Sequence, residues 1–373
     1  MRFQWDSLCI LRFIQRGNQT MRIANSIVLA KAGFTVSLVV ASGWASAQSS
    51  THAAAVNSSS NPGLVAGLLT TTGLATSATI GSTVGAIAGG AGAGAGALGA
   101  FAALPSGVNR FALPGQGGTG AAAAPGGKAL NAWLSLSQNK VSYDYAPLQS
   151  SGKVNVAIVG LDYTFNNRIV AGLAIAGDKT DVDLNFVGGK MKGKGTTYSP
   201  YIGIPLNKNW TADASLGWGK TKVDTEAGGV TGRVDDKRET ANIGLTYRQL
   251  AGDKWLITGR GSYLNVRDKL GAYTLSNGVF VPDGSVRVSQ LRFGGQAAYN
   301  AGSFIPHVGL NYIYDISRPE QAGAANDRDA FQAVLGVRFS GASGLYGGLQ
   351  YSSELGRSQV KNNQILLNVG ARF

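Results

Sequence analysis

Between Lys128 and Phe373 the chain repeats one unit twelve times: a segment of alternating apolar and polar residues, followed by a turn. The connections alternate in length. The even ones are Asn166-Asn167, Asn207-Lys208-Asn209, Ala251-Gly252-Asp253, Asn300 to Ser303 and Ser340 to Gly344. Most odd ones read as long polar loops: Asp178 to Thr196, Lys220 to Glu239 and Asp268 to Ser285. An even number of segments, with short turns at one end and long loops at the other, is the pattern of a closed membrane-spanning β-barrel. The expected fold is therefore all-β, a 12-stranded antiparallel transmembrane β-barrel preceded by a low-complexity N-terminal segment.

Composition supports the same class. Charged residues make up only 14% and glycines number 54, unlike an ordinary soluble domain of 373 residues. No stretch within 128–373 reaches the roughly 20 consecutive apolar residues of a membrane helix. An open sheet edge in lipid leaves backbone groups unpaired, so spanning strands must close on themselves.

Facing can be read from the alternation. Trp210, Ala212, Ala214, Leu216 and Trp218 share one face, and Thr211, Asp213, Ser215 and Gly217 the other. The two tryptophans lie eight residues apart, about 26 Å along a strand and about 20 Å of depth at a 40° tilt. That separates two aromatic girdles, to which Tyr247, Trp255, Tyr263, Tyr299, Tyr312 and Tyr314 are also assigned. Asp162, Asp213, Arg248, Arg260, Arg292, Arg338 and Arg372 fall on the polar, lumen-facing side. The arginines admit two uses: setting an anion preference or holding a polypeptide in transit, and pairing with aspartates to stiffen the barrel. The pattern leaves the facing of Trp133 open. The last strand places Ile365, Leu367, Val369, Ala371 and Phe373 on one face, ending on an aromatic residue at the C-terminus. This resembles the C-terminal signal that outer-membrane proteins present to the barrel-assembly machinery.

At the other end of the chain, Met21-Arg22 and Lys31 precede an apolar run, Ala32 to Val40, and the small-x-small site Ala45-Ser46-Ala47. The pattern predicts a secretory signal peptide over 21–47, with 1–20 as an upstream extension. Cys9, the only cysteine, falls within the removed part, so the mature chain has neither disulfides nor thiolate metal sites. Removal takes five Lys/Arg and one Asp, lowering the net charge from +13 to +9. A basic envelope protein suits anionic lipopolysaccharide and lipid headgroups, with Lys190, Lys192, Lys194, Asp235, Asp236, Lys237 and Arg238 in the loops that would meet them. Nucleic acid is not an expected partner.

Residues 48–127 form a Gly/Ala/Ser-rich linker or short passenger. From Gln48 to Asn109 there is no Lys, Arg, Asp or Glu. Gly81, Gly85 and Gly89 are spaced four apart, as on a smooth helix face. Pro105, Pro114, Gly115, Gly117, Gly118, Pro125 and Gly126 interrupt helix further on. Three readings stand: a linker, a small-residue helix packed in the lumen or membrane, and a surface-displayed peptide.

Taken together the chain resembles the autotransporter translocator (β-domain) family of type V secretion. The resemblance is carried by Val159-Gly160-Leu161-Asp162-Tyr163-Thr164-Phe165 and Arg168-Ile169-Val170-Ala171-Gly172-Leu173-Ala174 around a short turn. Ser199-Pro200-Tyr201, Pro306-His307-Val308-Gly309-Leu310 and Ala371-Arg372-Phe373 add to it. It implies a monomeric barrel in a Gram-negative outer membrane that carries an N-terminal passenger to the cell surface, supplied by the inner-membrane export machinery. It implies no cofactor and no bond chemistry. His52 and His307 are the only histidines, no Ser-His-acid set accompanies His307, and no metal-ligand spacing appears. A small passive channel or surface-loop protein without an export role is the competing expectation.

Overall fold

The computed structural model describes residues 130–144, 149–165, 169–185, 188–302, 304–318, 327–340 and 345–373, together with Gly73, Thr76, Ser77, Ala78 and Ile80. Residues 1–47, most of 48–127, and the turns 166–167 and 341–344 lie outside the described residues, as does the side chain of Arg372. The strands are β1 (Leu130–Tyr143), β2 (Ser150–Phe165), β3 (Ile169–Leu184), β4 (Gly189–Pro205), β5 (Trp210–Ala227), β6 (Val230–Ala251) and β7 (Trp255–Leu270). There follow β8 (Tyr273–Thr274), β9 (Phe280–Val281), β10 (Gly284–Tyr299), β11 (Phe304–Ser317), β12 (Asp329–Ser340), β13 (Tyr346–Leu355) and β14 (Val360–Arg372).

Twelve of these close into one antiparallel barrel in the order β1-β14-β13-β12-β11-β10-β7-β6-β5-β4-β3-β2, with β8 and β9 forming a separate two-stranded hairpin. Closure runs through β1 and β14, from Asn131 opposite Arg372 to Tyr143 opposite Val360. The Phe373 amide extends the seam by donating to the Leu130 carbonyl at 3.0 Å. Every spanning strand thus has two neighbours, which removes the edge that lipid would penalise.

The short-turn end is built from local chemistry. The Asn207 side-chain oxygen accepts from the Asn209 and Trp210 amides, both at 2.9 Å, an Asx turn that replaces backbone ladder bonds. Gly252 and Gly302 take positive φ, 64° and 88°, where a Cβ would be strained.

The opposite end departs from expectation. The segments Asp178–Thr196 and Lys220–Glu239 are not loops: β3 runs to Leu184 and β4 starts at Gly189, while β5 and β6 are joined across Gly228-Gly229. Lengths of 16 to 22 residues for β3 to β7 exceed the roughly 9–11 a strand needs to cross a membrane. Alternation continues through the excess, but its chemistry changes. On β5 the outward face reads Trp210, Ala212, Ala214, Leu216, Trp218 and then Lys220, Lys222, Asp224, Glu226. The inward face changes from Thr211, Asp213 and Ser215 to Thr221, Val223, Thr225 and Ala227. Below Trp218 the strand is apolar outside and polar inside; above it the outside is charged and the inside mixes threonines with apolar side chains. These extensions lack an apolar outer face, which is why their sequence has the pattern of loops. Asp235 and Lys237 face outward there, whereas Asp236 and Arg238 are buried inside. The third odd connection, after β7, carries the β8–β9 hairpin.

Candidate functional site in the barrel lumen

The extended end is packed rather than open. Val141, Val182, Leu184, Met191, Val223, Val234 and Leu270, inward residues of six strands, form one cluster in which none is more than 5% exposed. The β8–β9 hairpin folds over the tip of β5–β6. Tyr273, Leu275 and Val281 pack against Val230, and the Ser276 amide donates to the Thr231 carbonyl at 2.8 Å.

Beneath this cap lies a buried charge cluster. Arg238 donates through Nε to Asp268 at 2.9 Å and through Nη1 to Asp178 at 3.3 Å, with all three side chains fully buried. Asp236 adds a third carboxyl from the same strand as Arg238. Its flanking residues Asp235 and Lys237 face solvent, which places the cluster above the apolar belt. Burial first, then the charge of Asp268, pushes the Asp236 carboxyl up to about 8 against the pull of Arg238. Burial likewise raises Asp178 above the ordinary carboxylate range. One guanidinium among three desolvated carboxyls favours keeping a proton on one of them.

Two networks line the lumen within the membrane. Arg260 grips Asp213 with both terminal nitrogens, at 2.7 and 2.9 Å, and donates to Thr246 Oγ1 at 2.7 Å. Asp213 is on β5 and Arg260 on β7, so the guanidinium crosses β6. It does so at Gly244, where an added Cβ would stand 2.2 Å from Nη2. In the second, which spans β1, β2 and β4, Trp133 Nε1 donates to Tyr201 Oη at 3.0 Å, and Tyr201 Oη to Asp162 Oδ2 at 2.9 Å. Asn131 donates to the same oxygen at 3.0 Å and accepts from Tyr346 Oη at 2.5 Å. Trp133, only 4% exposed, faces inward.

Gly73, Thr76, Ser77, Ala78 and Ile80 are helical. Ile80 joins the inward apolar cluster of Trp133, Val156, Ile158, Ala174 and Tyr201. At Gly73 a Cβ would meet a Val266 methyl at 2.6 Å and Arg238 Nε at 3.1 Å. The lumen therefore holds part of the N-terminal segment, and glycine is what allows the chain to pass the Arg238 cluster.

Other lumen residues named from the sequence fall as follows. Arg248 Nη1 lies 3.4 Å from Thr211 Oγ1. Arg292 donates twice to Gln290 Oε1, which in turn donates through Nε2 to Asp315 at 2.7 Å. Arg338 is buried inside near His307, and Asp162 anchors the Trp133 network. Outside, Trp210 packs at a tilt against Tyr247 and Trp255 edge-on against Tyr299, with centroids 4.9 and 5.1 Å apart, at the short-turn end. Trp218, Tyr263, Tyr312 and Tyr314 lie toward the other end. Ile365, Leu367 and Phe373 point outward, with Val369 and Ala371 half-buried on the same face. Asn131, Tyr346, Asp178 and Asp268 do not stand out in the sequence as site residues, and Tyr201 does so only within Ser199-Pro200-Tyr201, though each sits at an inward position of the alternation.

Residues 127–352 match the Autotransporter beta-domain family. The chain belongs to this family. Its fold is that of the translocator domain of NalP from Neisseria meningitidis (TM-score 0.58, 14% identity, 67% of this chain and 90% of that one). The β domain of the Bordetella autotransporter BrkA is similar (TM-score 0.54, 16% identity, 66% and 100%). So is the transport unit of AIDA-I from Escherichia coli (TM-score 0.52, 12% identity, 67% and 92%). No relative among curated protein sequences matches the chain. The protein is an outer-membrane β-barrel of the type V secretion class.

Proposed function

We propose that this barrel acts as the translocator of its own short N-terminal segment, carrying residues 48–72 through the lumen to the cell surface. The observation behind this reading is the placement of Gly73 and Ile80 inside the barrel, N-terminal to β1. Gly73 rests at the level of Arg238, toward the extended hairpins, whereas β1 begins at Leu130 beside the short-turn end. A chain running between those points enters the lumen from the hairpin side. In this reading the extended hairpins are the surface end, and the segment 21–47 is the signal read by the inner-membrane export machinery. The outward row Ile365, Leu367, Val369, Ala371 and Phe373 is what the barrel-assembly machinery reads. The barrel itself makes and breaks no bonds, and it works as a monomer.

An epitope inserted after Ala55 tests the reading on intact cells. Antibody binding that external protease abolishes is the expected result. An epitope hidden until the outer membrane is opened would overturn it. The apolar cap at the hairpin end favours a second reading, in which the segment stops as a lumen plug, and the hidden epitope is its expected outcome.

A further inference from the structure

On the outer wall, Lys179 on β3, Lys194 on β4 and Lys222 on β5 stand directly opposite one another across the sheet, and the row ends on Asp235 of β6, opposite Lys222. All three are exposed on the outward face. Cross-strand neighbours on one face place their Cβ atoms about 4.5–5.5 Å apart, and like charges in such pairs repel. The next outward row does the opposite. Asp181, Lys192, Asp224 and Arg233 alternate in sign, and Arg233 donates to Asp224 at 2.6 Å. Among the described residues none of the three lysines forms an ion pair. Asp235 offsets Lys222 at one end of the row, but Lys179 stands between Asn155 and Lys194, and this excess of positive charge suits an outside anion.

The second observation is the surface beneath it. A groove of about 620 Å³ opens in the outer wall, lined by Leu136, Ala157, Gly177, Leu367, Lys179 and Lys194. It exists because the outward row Leu136-Ala157-Gly177 has small residues where β2 and β3 cross the interface, and an added Cβ at Gly177 would meet nothing. Apolar below and cationic above, the groove has the polarity of a lipid with an anionic headgroup.

We propose that this face is a docking site for a phosphorylated glycolipid of the outer leaflet. Its phosphate lies against Lys179, Lys194 and Lys222, and an acyl chain lies over Leu136, Ala157, Gly177 and Leu367. Lysine suits a phosphate as a compact point charge, and a basic cluster at a membrane surface adds affinity for anionic headgroups with every residue. The assignment to the outer leaflet rests on the orientation given under the proposed function.

The test uses the full chain in detergent, titrated by native mass spectrometry with bisphosphorylated lipid A and with the same lipid stripped of phosphate. Binding at least tenfold tighter for the phosphorylated form is expected. Lys179→Gln/Lys194→Gln/Lys222→Gln should weaken it on the order of 100-fold, and Gly177→Trp, which fills the groove, should block it. Lys208→Gln/Lys254→Gln, two exposed lysines at the short-turn end and so away from the groove, should leave it unchanged. Equal binding of the stripped lipid, or an unaffected first triple variant, overturns the proposal. Lys190→Cys labelling on intact cells checks orientation separately. Surface labelling without lipid binding sinks this proposal alone, whereas binding with labelling only after membrane opening sinks the outer-leaflet assignment.

Discussion

Asp213 and Arg260 are tied by two charge-assisted hydrogen bonds, 2.7 and 2.9 Å long, although a whole strand separates β5 from β7. The Asp213 side chain is fully buried and that of Arg260 is 20% exposed. Removing one partner leaves the other desolvated and unpaired, which costs about 3 kcal/mol or more. Asp213→Ala should therefore lower the unfolding free energy from urea titration of the barrel in detergent by that order, and Arg260→Ala should do likewise. The double variant should lose less than the sum of the two. Strict additivity would mean that the pair contributes nothing as a pair.

Inward aromatic side chains sit directly across from glycines. Trp133 faces Gly160, Tyr201 faces Gly172, and Tyr346 faces Gly370. A Cβ at those glycines would approach the rings to 2.1, 2.5 and 2.2 Å. Gly160→Ala should push Trp133 off Tyr201, lower stability by about 1–3 kcal/mol, and shift the Trp133 emission. Gly177→Ala, in open space, should be silent in both measurements. If Gly160→Ala is equally silent, the ring is not held as described.

That pairing explains what the sequence disclosed and what it did not. Strand number, closure and the outward row from Trp210 to Trp218 follow from a period of two, which one strand shows by itself. The partner of Trp133 does not, because Gly160 and Tyr201 become its neighbours only through register across β2, β3 and β4. The same applies to Arg238, whose carboxylates come from β3 and β7. The alternation above Trp218 was present in the sequence. Lys220, Lys222 and Asp224 disguised it, since charges at outward positions look like loop when the membrane is assumed to cover the whole strand.

Asp236 should make stability depend on pH. Burial and the neighbouring carboxyls Asp268 and Asp178 outweigh Arg238 and lift its pKa to about 8. The folded state thus binds a proton more tightly than the unfolded chain. The resulting stabilisation is complete below the ordinary Asp pKa near 3.8 and is lost as pH rises to about 8, levelling off above. Asp178 is shifted in the same direction. Asp236→Asn should flatten most of the fall in unfolding midpoint between pH 4 and pH 8. At pH 9 the variant should be the more stable of the two. An unchanged slope would remove Asp236 as its source.

Met191 is 1% exposed at the centre of the apolar cap, with Val182 opposite it on β3 and Thr225 on β5. Truncating a buried methionine costs about 2–5 kcal/mol through lost transfer energy and the cavity left behind. The extensions of β3 to β6 project beyond the belt, so this loss should open them locally before the barrel itself unfolds. Met191→Ala is expected to speed amide exchange and proteolysis between Asp178 and Arg238, while the seam between β1 and β14 keeps its protection. A uniform loss of protection over all twelve strands would show instead that cap and barrel are one cooperative unit.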